Sequence, residues 1–348
     1  MTENYIGWDI GGAHLKAVLL DSEGVVQAAT QVYCPLWRGL RELEFAIDHV
    51  LLEFNANRHA VTMTGELVDI FQNRREGVLK IAGTLTSKLQ GEVRYYAGRH
   101  GFVDSTALDR HWADIASMNW YASVQYVAKK LPKAIFVDIG STTTDIALID
   151  NAAPQVDGFT DAARLQSDEL VYTGVVRTPL MAVAQKVPFA GQMTNVAAEF
   201  FATAADVYSL TGDMDMAGNM AETADGADKT IEASACRIAR MIGRDAEDAP
   251  LSSWKALAGS FKEMQLEQIR QALLKHMSLL KDDSALQLVG AGAGAFLASE
   301  LAVRLELEYH AVSEFIAAID HETRDMAAIC FPAYAVAYLC VGDAGESA

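Results

Sequence analysis

The sequence predicts an α/β protein built from two domains of similar topology. The chain has 348 residues, of which 51% are hydrophobic and 21% charged, values that suit a folded chain of about two domains. Short apolar strands alternate with segments of helical spacing along it. A strand–glycine–strand pattern occurs twice, with Asp9 and Asp138 at corresponding positions 129 residues apart. A repeat at that distance indicates duplicated domains and not a solenoid of small units.

The first half of the chain begins with strands. Apolar runs at 5–10 and 15–20 flank a Gly-Gly turn, and a second turn at 22–24 leads to a strand near 25–32. Apolar periodicity then predicts helices and strands in alternation. The predicted helices cover 40–54, 69–89, 106–116 and 120–131, and the predicted strands cover 60–63 and 91–97.

The second half repeats the opening and then becomes more helical. Strands are predicted at 135–139 and 145–149, helices at 199–210, 229–242 and 253–280, and a Gly/Asp-rich loop at 211–228. A strand at 286–289 follows, then a helix to Arg304 and a final helical region to about 341. We therefore expect a first domain at 1–131 and a second at 132–348 with helical insertions. Whether the C-terminal helix returns to the first domain is left open.

The charge balance restricts the partners. Lys and Arg total 28 against 46 Asp and Glu, which gives a formal net charge of −18. Such a field repels nucleic acid and anionic membranes, so we expect neither as a partner. The longest apolar stretch, 286–297, is too short to span a bilayer. The four cysteines show no Cys-x-x-Cys pair, which predicts neither a zinc site nor a disulfide framework and favours a reducing cytoplasm.

The first chemical motif is the loop from Asp9 to Lys16, Asp-Ile-Gly-Gly-Ala-His-Leu-Lys. Gly11 and Gly12 let backbone N–H groups approach a phosphate closely. Asp9 is placed to hold Mg²⁺, and Lys16 to reach a phosphate. The alternative interpretation is an ordinary hairpin turn.

The second motif, Asp138 to Asp145, has the same pattern with hydroxyl side chains in its turn. Two such loops in one chain are expected to face each other across a cleft and hold one polyphosphate with its metal. The metal ligands would be Asp9 and Asp138. The predicted phosphate-binding residues of this second loop are Gly140, Ser141, Thr142 and Thr143.

A third motif, Gly290, Gly292 and Gly294, follows a predicted strand and opens a helix. Its Gly-x-Gly-x-Gly spacing differs from the Gly-x-Gly-x-x-Gly fingerprint of dinucleotide-binding proteins. If the turn did bind a dinucleotide, Glu308 could be the acid that contacts the ribose. In a two-domain clamp the turn would instead hold a nucleoside or another flat group. A purely structural turn is the remaining alternative.

Several further residues could belong to a site. Arg74 and Arg75 have guanidinium groups suited to phosphate, although a solvated helix start is the alternative. Asn119 and Trp120 could form a wall for a ring or belong to the core. The other candidates are Glu66 as a catalytic carboxylate, Arg177, beside Thr178 and Pro179, as a nucleoside- or ring-binding residue, and His14 or His100 as proton acceptors.

Together these motifs resemble the actin, heat-shock chaperone and sugar-kinase superfamily of ATPases. The first loop, with Lys16 followed by Ala17, is similar to the actin form. The chain as a whole resembles the hydantoinase A/oxoprolinase-related branch, and within it a small family linked to tetrahydromethanopterin C1 transfer and methanofuran biosynthesis. The segments that carry this resemblance are 6–16, 63–67, 73–77, 119–120, 138–145, 172–179 and 224–226.

The resemblance implies two ribonuclease-H-like domains with an interdomain cleft. It also implies an ether-forming transferase that couples an (aminomethyl)furanylmethyl diphosphate to the phenol oxygen of a tyramine- or tyrosine-type acceptor, with release of diphosphate. Mg²⁺ would be the cofactor, and the substrates small molecules. The catalytic residues would be Asp9, Lys16, Glu66 and Asp138, and which residue is the general base stays open.

Two other functions are compatible with the motifs. An ATP-dependent hydrolase or kinase would use the same loops with ATP. A nucleotide-switched regulator would bind nucleotide without catalysis, but the chain shows no substrate-binding module of the kind such chaperones carry. Formation of a homodimer is left open.

Overall fold

The computed structural model describes residues 3–214, 221–282 and 284–346. The described residues form two six-stranded sheets and a two-stranded ribbon, together with helices, so the predicted α/β class is confirmed. The chain divides into two compact units. The first contains the chain up to Ala134, Ile149–Arg164 and the residues from Ala311 on, and the second contains Ile135–Leu148 and Leu165–His310.

The described strands follow one another as β1 to β14. They are β1 Tyr5–Ile10, β2 His14–Leu20, β3 Val26–Tyr33, β4 Arg58–Met63, β5 Glu92–Tyr96, β6 Phe102–Val103, β7 Ala134–Ile139, β8 Thr144–Asp150, β9 Ala153–Gln155, β10 Leu170–Val171, β11 Lys186–Phe189, β12 Gln192–Asn195, β13 Gln287–Ala291 and β14 Glu308–Ala311.

The described α-helices are α1 Leu40–Leu51, α2 Arg74–Lys88, α3 Leu108–Ile115, α4 Asn119–Ala128, α5 Asp161–Ser167, α6 Leu180–Val183, α7 Ala204–Thr211, α8 Ile231–Arg240, α9 Leu251–Met277, α10 Ala295–Arg304, α11 His321–Ile329 and α12 Phe331–Glu346. Residues 215–220 of the predicted loop at 211–228 lie outside the described residues.

The first unit is organised around the sheet β3-β2-β1-β4-β5-β6. β1, β4 and β5 run parallel, whereas β2 and β3 form antiparallel hairpins beside them. Because the carboxyl ends of parallel strands meet at one edge, the loops after β1, β4 and β5 lie along the same edge of this sheet. The glycine loop after β1 and the turn with Glu66 after β4 lie at that edge.

Helices cover the sheet of the first unit and bury its apolar residues. α1 and α2 contribute to a core that includes Ile6, Trp8 and Ile10 of β1. The C-terminal helix α12 packs against β1, β2 and β4. α2 begins later than its apolar pattern predicts, because the Asn73 side chain accepts a hydrogen bond from the Glu76 N–H and caps the helix.

The second unit has its own core around the sheet β10-β8-β7-β13-β14. α7, α8 and α9 pack against one another, and α10 packs against β13. The long helix predicted at 253–280 is confirmed as α9. The ribbon of β11 and β12 was not predicted.

The predicted repeat is confirmed at the level of backbone hydrogen bonds. The Gly11 N–H donates to the His14 carbonyl over 3.0 Å, and the Gly140 N–H donates to the Thr143 carbonyl over 2.8 Å. The same four-residue turn therefore follows the first strand of each unit.

Among the described residues, no single helix has the length and apolar composition needed to cross a membrane. α11 and the part of α12 up to Asp343 meet the criteria only when taken together, and the chain bends by 101° between them.

Candidate functional site

The first loop brings a carboxylate and an ammonium group to the same face of the sheet. Asp9 and Lys16 are directly opposite each other in the antiparallel pairing of β1 and β2. Side chains opposed in this way project from the same face. Asp9 is 5% exposed, and Lys16 is half-buried. The turn between them is tight, since a side chain at Gly12 would lie 3.0 Å from Val68.

A buried hydroxyl lies on the other side of Asp9. Thr62 of β4 is the parallel partner of Asp9, and it is fully buried. Its hydroxyl has no hydrogen-bond partner among the described residues. Sequence reasoning missed Thr62, because only the pairing of β1 with β4 places it beside the loop.

The thiol of Cys330 also lies within the electrostatic influence of Asp9 and Lys16. Burial raises the pKa of Cys330 to about 12, although Lys16 opposes the rise. The thiolate is therefore scarce at neutral pH, which makes Cys330 a poor nucleophile.

Glu66 lies in a short 3-10 turn, Gly65–Leu67, directly after β4. This turn rests on the first loop, because the Thr64 N–H donates to the Ile10 carbonyl over 2.9 Å and a side chain at Gly65 would lie 3.2 Å from the Gly11 carbonyl oxygen. The structure therefore brings the candidate carboxylate Glu66 next to the predicted phosphate loop.

The Glu66 carboxyl group is almost completely buried, at 1% exposure. Its Oε1 accepts a hydrogen bond from the Ser117 hydroxyl over 2.8 Å, and its Oε2 has no partner among the described residues. Burial raises the pKa of Glu66 to about 7, although the Ser117 hydrogen bond partly opposes this. A carboxyl group with such a pKa can exchange a proton near neutral pH.

Ser117 has the left-handed backbone conformation, with φ of 55°. This conformation is uncommon for a residue other than glycine and carries strain. Its hydroxyl lies between Glu66 and Asp161, 3.5 Å from Asp161 Oδ2. Sequence reasoning missed both Ser117 and Asp161, since neither belongs to a recognisable motif.

The two predicted phosphate arginines point to different acids. Arg74 forms an ion pair with Asp161 over 2.5 Å and is half-buried, close to Glu66. Arg75 pairs with Asp109 over 2.6 Å, and both side chains are exposed. The structure therefore groups Arg74 with the Glu66 carboxyl group and places Arg75 outside that group.

Trp120 lies at the start of α4 and is 2% exposed. The guanidinium of Arg164 stacks over its ring at 3.8 Å, and Phe159 and Tyr121 also contact this aromatic group. The Trp120 Nε1–H has no partner among the described residues. Asn119 caps the adjacent backbone, since its Oδ1 accepts from the Trp120 N–H over 2.8 Å.

The second loop is held by the segment that follows β10. The N–H groups of Val176 and Arg177 both donate to the Ser141 carbonyl, over 3.0 and 2.8 Å. A side chain at Gly174 would lie 2.6 Å from the Thr142 nitrogen, so only glycine permits this contact. Arg177 thus lies beside the second loop with an exposed side chain.

The third glycine motif comes directly against Asp138. Gly292 has a φ of +80°, and a side chain there would lie 2.3 Å from Asp138 Oδ1. The Gly294 N–H donates to the Ile139 carbonyl over 2.8 Å. Gly290 packs on the ring of Tyr309. The spacing of these glycines is therefore explained by the approach of β13 to the end of β7.

Most of the predicted residues thus fall into one group in each unit, whereas Arg75 lies outside both groups. In the first unit the loop after β1 lies beside Glu66, and Glu66 lies beside Ser117 and Arg74. In the second unit the loop after β7 lies beside the turn after β13. The members of the second group are Asp138, Gly140, Ser141, Thr142, Thr143, Arg177, Gly290, Gly292 and Gly294.

Solved structures are similar in fold to much of this chain. Acetone carboxylase in its nucleotide-free form gives a TM-score of 0.53 at 10% identity, covering 86% of this chain and 66% of that chain. A ROK-family glucokinase from Streptomyces griseus, with glucose and AMPPNP bound, gives 0.48 at 12% identity, covering 97% and 98%. The α/β fold class predicted from the sequence is confirmed.

Two curated proteins are similar in sequence. Both are named as synthases of a (phenoxymethylfuranyl)methanamine that carries a γ-glutamylaminoethyl group. The protein of Methanocaldococcus jannaschii is 32% identical over 267 residues, which cover 76% of this chain and 79% of that protein. The protein of Methanococcus vannielii is 34% identical over 123 residues, which cover 35% and 54%.

The sequence profile of the hydantoinase/oxoprolinase family matches residues 57–319. This segment contains Glu66, the second glycine loop and the third glycine motif. Because the match covers most of the chain, and because a relative above 30% identity spans most of it, the chain belongs to the hydantoinase/oxoprolinase family.

Proposed function

We propose that this protein is a transferase of methanofuran-type cofactor biosynthesis. It joins an (aminomethyl)furanylmethyl diphosphate to the phenol oxygen of a tyramine- or tyrosine-type acceptor and releases diphosphate. One observation carries the proposal. The Methanocaldococcus jannaschii relative, 32% identical over 76% of this chain, is named for a product in which a phenol oxygen is bonded to a furan-bound methylene group.

The reaction needs a base for the phenol proton. A free phenol has a pKa of about 10, so at neutral pH its oxygen attacks well only as its proton leaves. Glu66 has a pKa of about 7 and a second carboxylate oxygen without a hydrogen-bond partner among the described residues. We assign the phenol proton to Glu66 Oε2. Ser117 holds Oε1 and thereby fixes the direction of Oε2.

The reaction also needs groups that stabilise the departing diphosphate. As the phenol oxygen bonds to the methylene carbon, the bond from that carbon to the diphosphate oxygen breaks, and both electrons leave with the diphosphate. The furan ring stabilises positive charge on this carbon. Backbone N–H groups of the first glycine loop and the Lys16 ammonium are the groups of this chain that we assign to the leaving group.

Arg74 is a further candidate for a phosphate contact. It lies close enough to Glu66 to lower the pKa of Glu66, and it pairs with Asp161. A guanidinium that already has one carboxylate partner can still donate to a phosphate oxygen with its other N–H groups. Arg75 is a weaker candidate because its ion pair with Asp109 is exposed.

The residues around Asp138 fit a magnesium ion. Mg²⁺ prefers oxygen ligands, and the half-buried Asp138 lies beside the hydroxyl-bearing loop of Ser141 and Thr142. Gly292 packs directly against Asp138 Oδ1, since a side chain there would lie 2.3 Å from this oxygen. We propose that Asp138 and Asp9 are magnesium ligands. Bound Mg²⁺ would neutralise charge on the diphosphate.

A second function, an ATP-dependent hydrolase or kinase, is favoured by membership in the hydantoinase/oxoprolinase family. The two functions require different second substrates. The proposed transferase is tested by incubating the protein with the furanylmethyl diphosphate, Mg²⁺ and each phenolic amine in turn, followed by mass spectrometry. We expect a product with the mass of the aryl ether. Recovery of unchanged substrates with every acceptor would contradict the proposal.

A further inference from the structure

A cluster of two histidines and one aspartate lies outside the groups described above. Among the residues that the structure describes, His100, His111 and Asp114 place one ligand atom each within 4.8 Å of one another. We propose that these three side chains bind a divalent transition-metal ion, such as Zn²⁺. The proposal does not depend on the transferase activity.

The distances within the cluster suit such an ion. His111 Nδ1 lies 3.1 Å from Asp114 Oδ2, and His100 Nε2 lies 3.7 Å from the same oxygen. Zinc–ligand bonds of about 2.0–2.1 Å in tetrahedral geometry place neighbouring ligand atoms about 3.4 Å apart. The two measured distances lie on either side of this value. All three ligand atoms lie within 4.8 Å of one another, so small shifts of the side chains would complete the site.

The backbone holds the ligands in place before an ion arrives. His100 ends the 3-10 turn Gly98–His100, and its N–H donates to the Ala97 carbonyl over 3.0 Å. Gly98 has a φ of +54°, and a side chain there would lie 3.1 Å from Met118 Sδ. His111 and Asp114 are three residues apart on α3, so they lie on the same face of that helix.

The ligand types indicate the class of metal. Imidazole nitrogens favour Zn²⁺ and neighbouring transition metals, whereas Mg²⁺ prefers oxygen. His100 is 54% exposed and Asp114 is 40% exposed, so an ion can enter from solvent. Three protein ligands leave at least one coordination position for water. The ion takes the place of the proton that His111 Nδ1 shares with Asp114, and that proton moves to solvent or to Nε2.

Metal binding at this cluster would join two segments that lead to the Glu66 group. The turn that ends with His100 also carries Arg99, whose guanidinium lies 4.1 Å from the centre of the Phe159 ring. α3 leads within three residues to Ser117. The ion would therefore restrict the motion of the backbone segments that lead to Phe159 and to the Glu66 group.

The test uses untagged full-length protein, first treated with EDTA and then exchanged into buffer with excess Mg²⁺. Magnesium occupies oxygen-rich sites and does not compete well for imidazole. Zn²⁺ binding is measured by calorimetry, and Co²⁺ binding by its visible absorption. We expect one equivalent of each ion, a Co²⁺ spectrum typical of nitrogen and oxygen ligands, and a rise in the melting temperature with Zn²⁺.

Two variants locate the site. His100→Ala and Asp114→Asn change exposed side chains, and each should weaken Zn²⁺ binding by roughly 10–100-fold or more. The matched control is His321→Ala. His321 also pairs with a carboxylate, Asp325, over 3.0 Å, but it has no second histidine within the same cluster. Unchanged Zn²⁺ affinity in His100→Ala and Asp114→Asn, or no Zn²⁺ binding by the unmodified protein, would overturn the proposal.

Discussion

The Ser117 hydroxyl donates a hydrogen bond to Glu66 Oε1 over 2.8 Å, from a residue whose backbone is held in the left-handed conformation. Ser117 and Glu66 are 51 residues apart in the chain. A buried carboxyl group is thus fixed in one orientation, and its other oxygen has no hydrogen-bond partner among the described residues.

Replacing Glu66 by glutamine should remove the proposed base while preserving the shape of the side chain. We expect kcat to fall by roughly 10²–10⁴-fold, the usual contribution of a positioned general base. In the unmodified protein, kcat/KM should fall as the pH drops through about 7, because Glu66 becomes protonated there. The pH–rate profile of both proteins checks this. An acid limb near pH 7 that persists in Glu66→Gln would assign the base to another residue.

The same substitution should change stability in a pH-dependent way. The ordinary pKa of a glutamate is 4.5. Between this pH and about pH 7, the folded protein keeps a proton on Glu66 that the unfolded chain releases. The unmodified protein should therefore lose stability from this group as the pH rises, until Glu66 is fully ionised. Glu66→Gln avoids this loss.

We expect the stability advantage of Glu66→Gln to grow by about 2–3 kcal/mol between about pH 5 and about pH 8. Urea unfolding of both proteins at the two pH values measures it. The comparison at low pH is the internal control, since both side chains are then largely neutral in the folded proteins. A constant difference across the range would show that the pKa of Glu66 is not raised.

Lys16→Met should weaken the use of the diphosphate substrate. Charge-assisted contacts to phosphate contribute about 1.5–3 kcal/mol, so kcat/KM should fall by roughly 10–100-fold. If the contact strengthens as the leaving group gains charge, most of the loss appears in kcat. The KM of the phenolic acceptor should stay nearly constant.

Steady-state kinetics with each substrate varied in turn test the Lys16 assignment. Lys80→Met is the control, because Lys80 is an exposed lysine that pairs with Glu76 on α2. A large rise in the acceptor KM with unchanged diphosphate kinetics would show that Lys16 faces the other substrate.

Gly292→Ala should disturb Asp138 directly. The added methyl group would lie 2.3 Å from Asp138 Oδ1 and 2.4 Å from the Ile139 carbonyl oxygen, so both the carboxylate and the end of β7 must move. We expect a higher Mg²⁺ concentration for half-maximal activity and a lower maximal rate. Gly191→Ala is a matched control, since Gly191 has almost the same φ, +79°, but no atom within 4 Å of the added group. Equal effects of the two substitutions would show that Gly292→Ala acts through backbone strain and not through contact with Asp138.

The sequence predicts those parts of the protein that depend on local pattern. The duplicated hairpin follows from the recurrence of Asp-Ile-Gly, and the helices α1, α3 and α9 follow from their apolar spacing. Glu66 could be selected as a candidate because it stands in a glycine-bounded segment. Its burial could not be predicted, because that depends on how α2 and the residues near Ser117 pack around it.

The residues that sequence reasoning missed are those that only tertiary contacts bring together. Thr62 lies beside Asp9 through strand pairing, and Asp161 pairs with Arg74 across 87 residues. Three glycines near the end of β13 could be assigned to a turn, but the identity of their neighbour, Asp138, required the order of strands in the sheet. Local propensity carries no information on such contacts.

The most direct test of the proposed function follows phosphate products in the absence of nucleotide. The protein is incubated with the furanylmethyl diphosphate, the phenolic acceptor and Mg²⁺, and diphosphate, orthophosphate and ether product are measured over time. We predict that one diphosphate is released for each ether formed, with no ATP present. Strict dependence on ATP, with ADP appearing in step with product, would contradict the proposal and favour an ATP-dependent hydrolase or kinase.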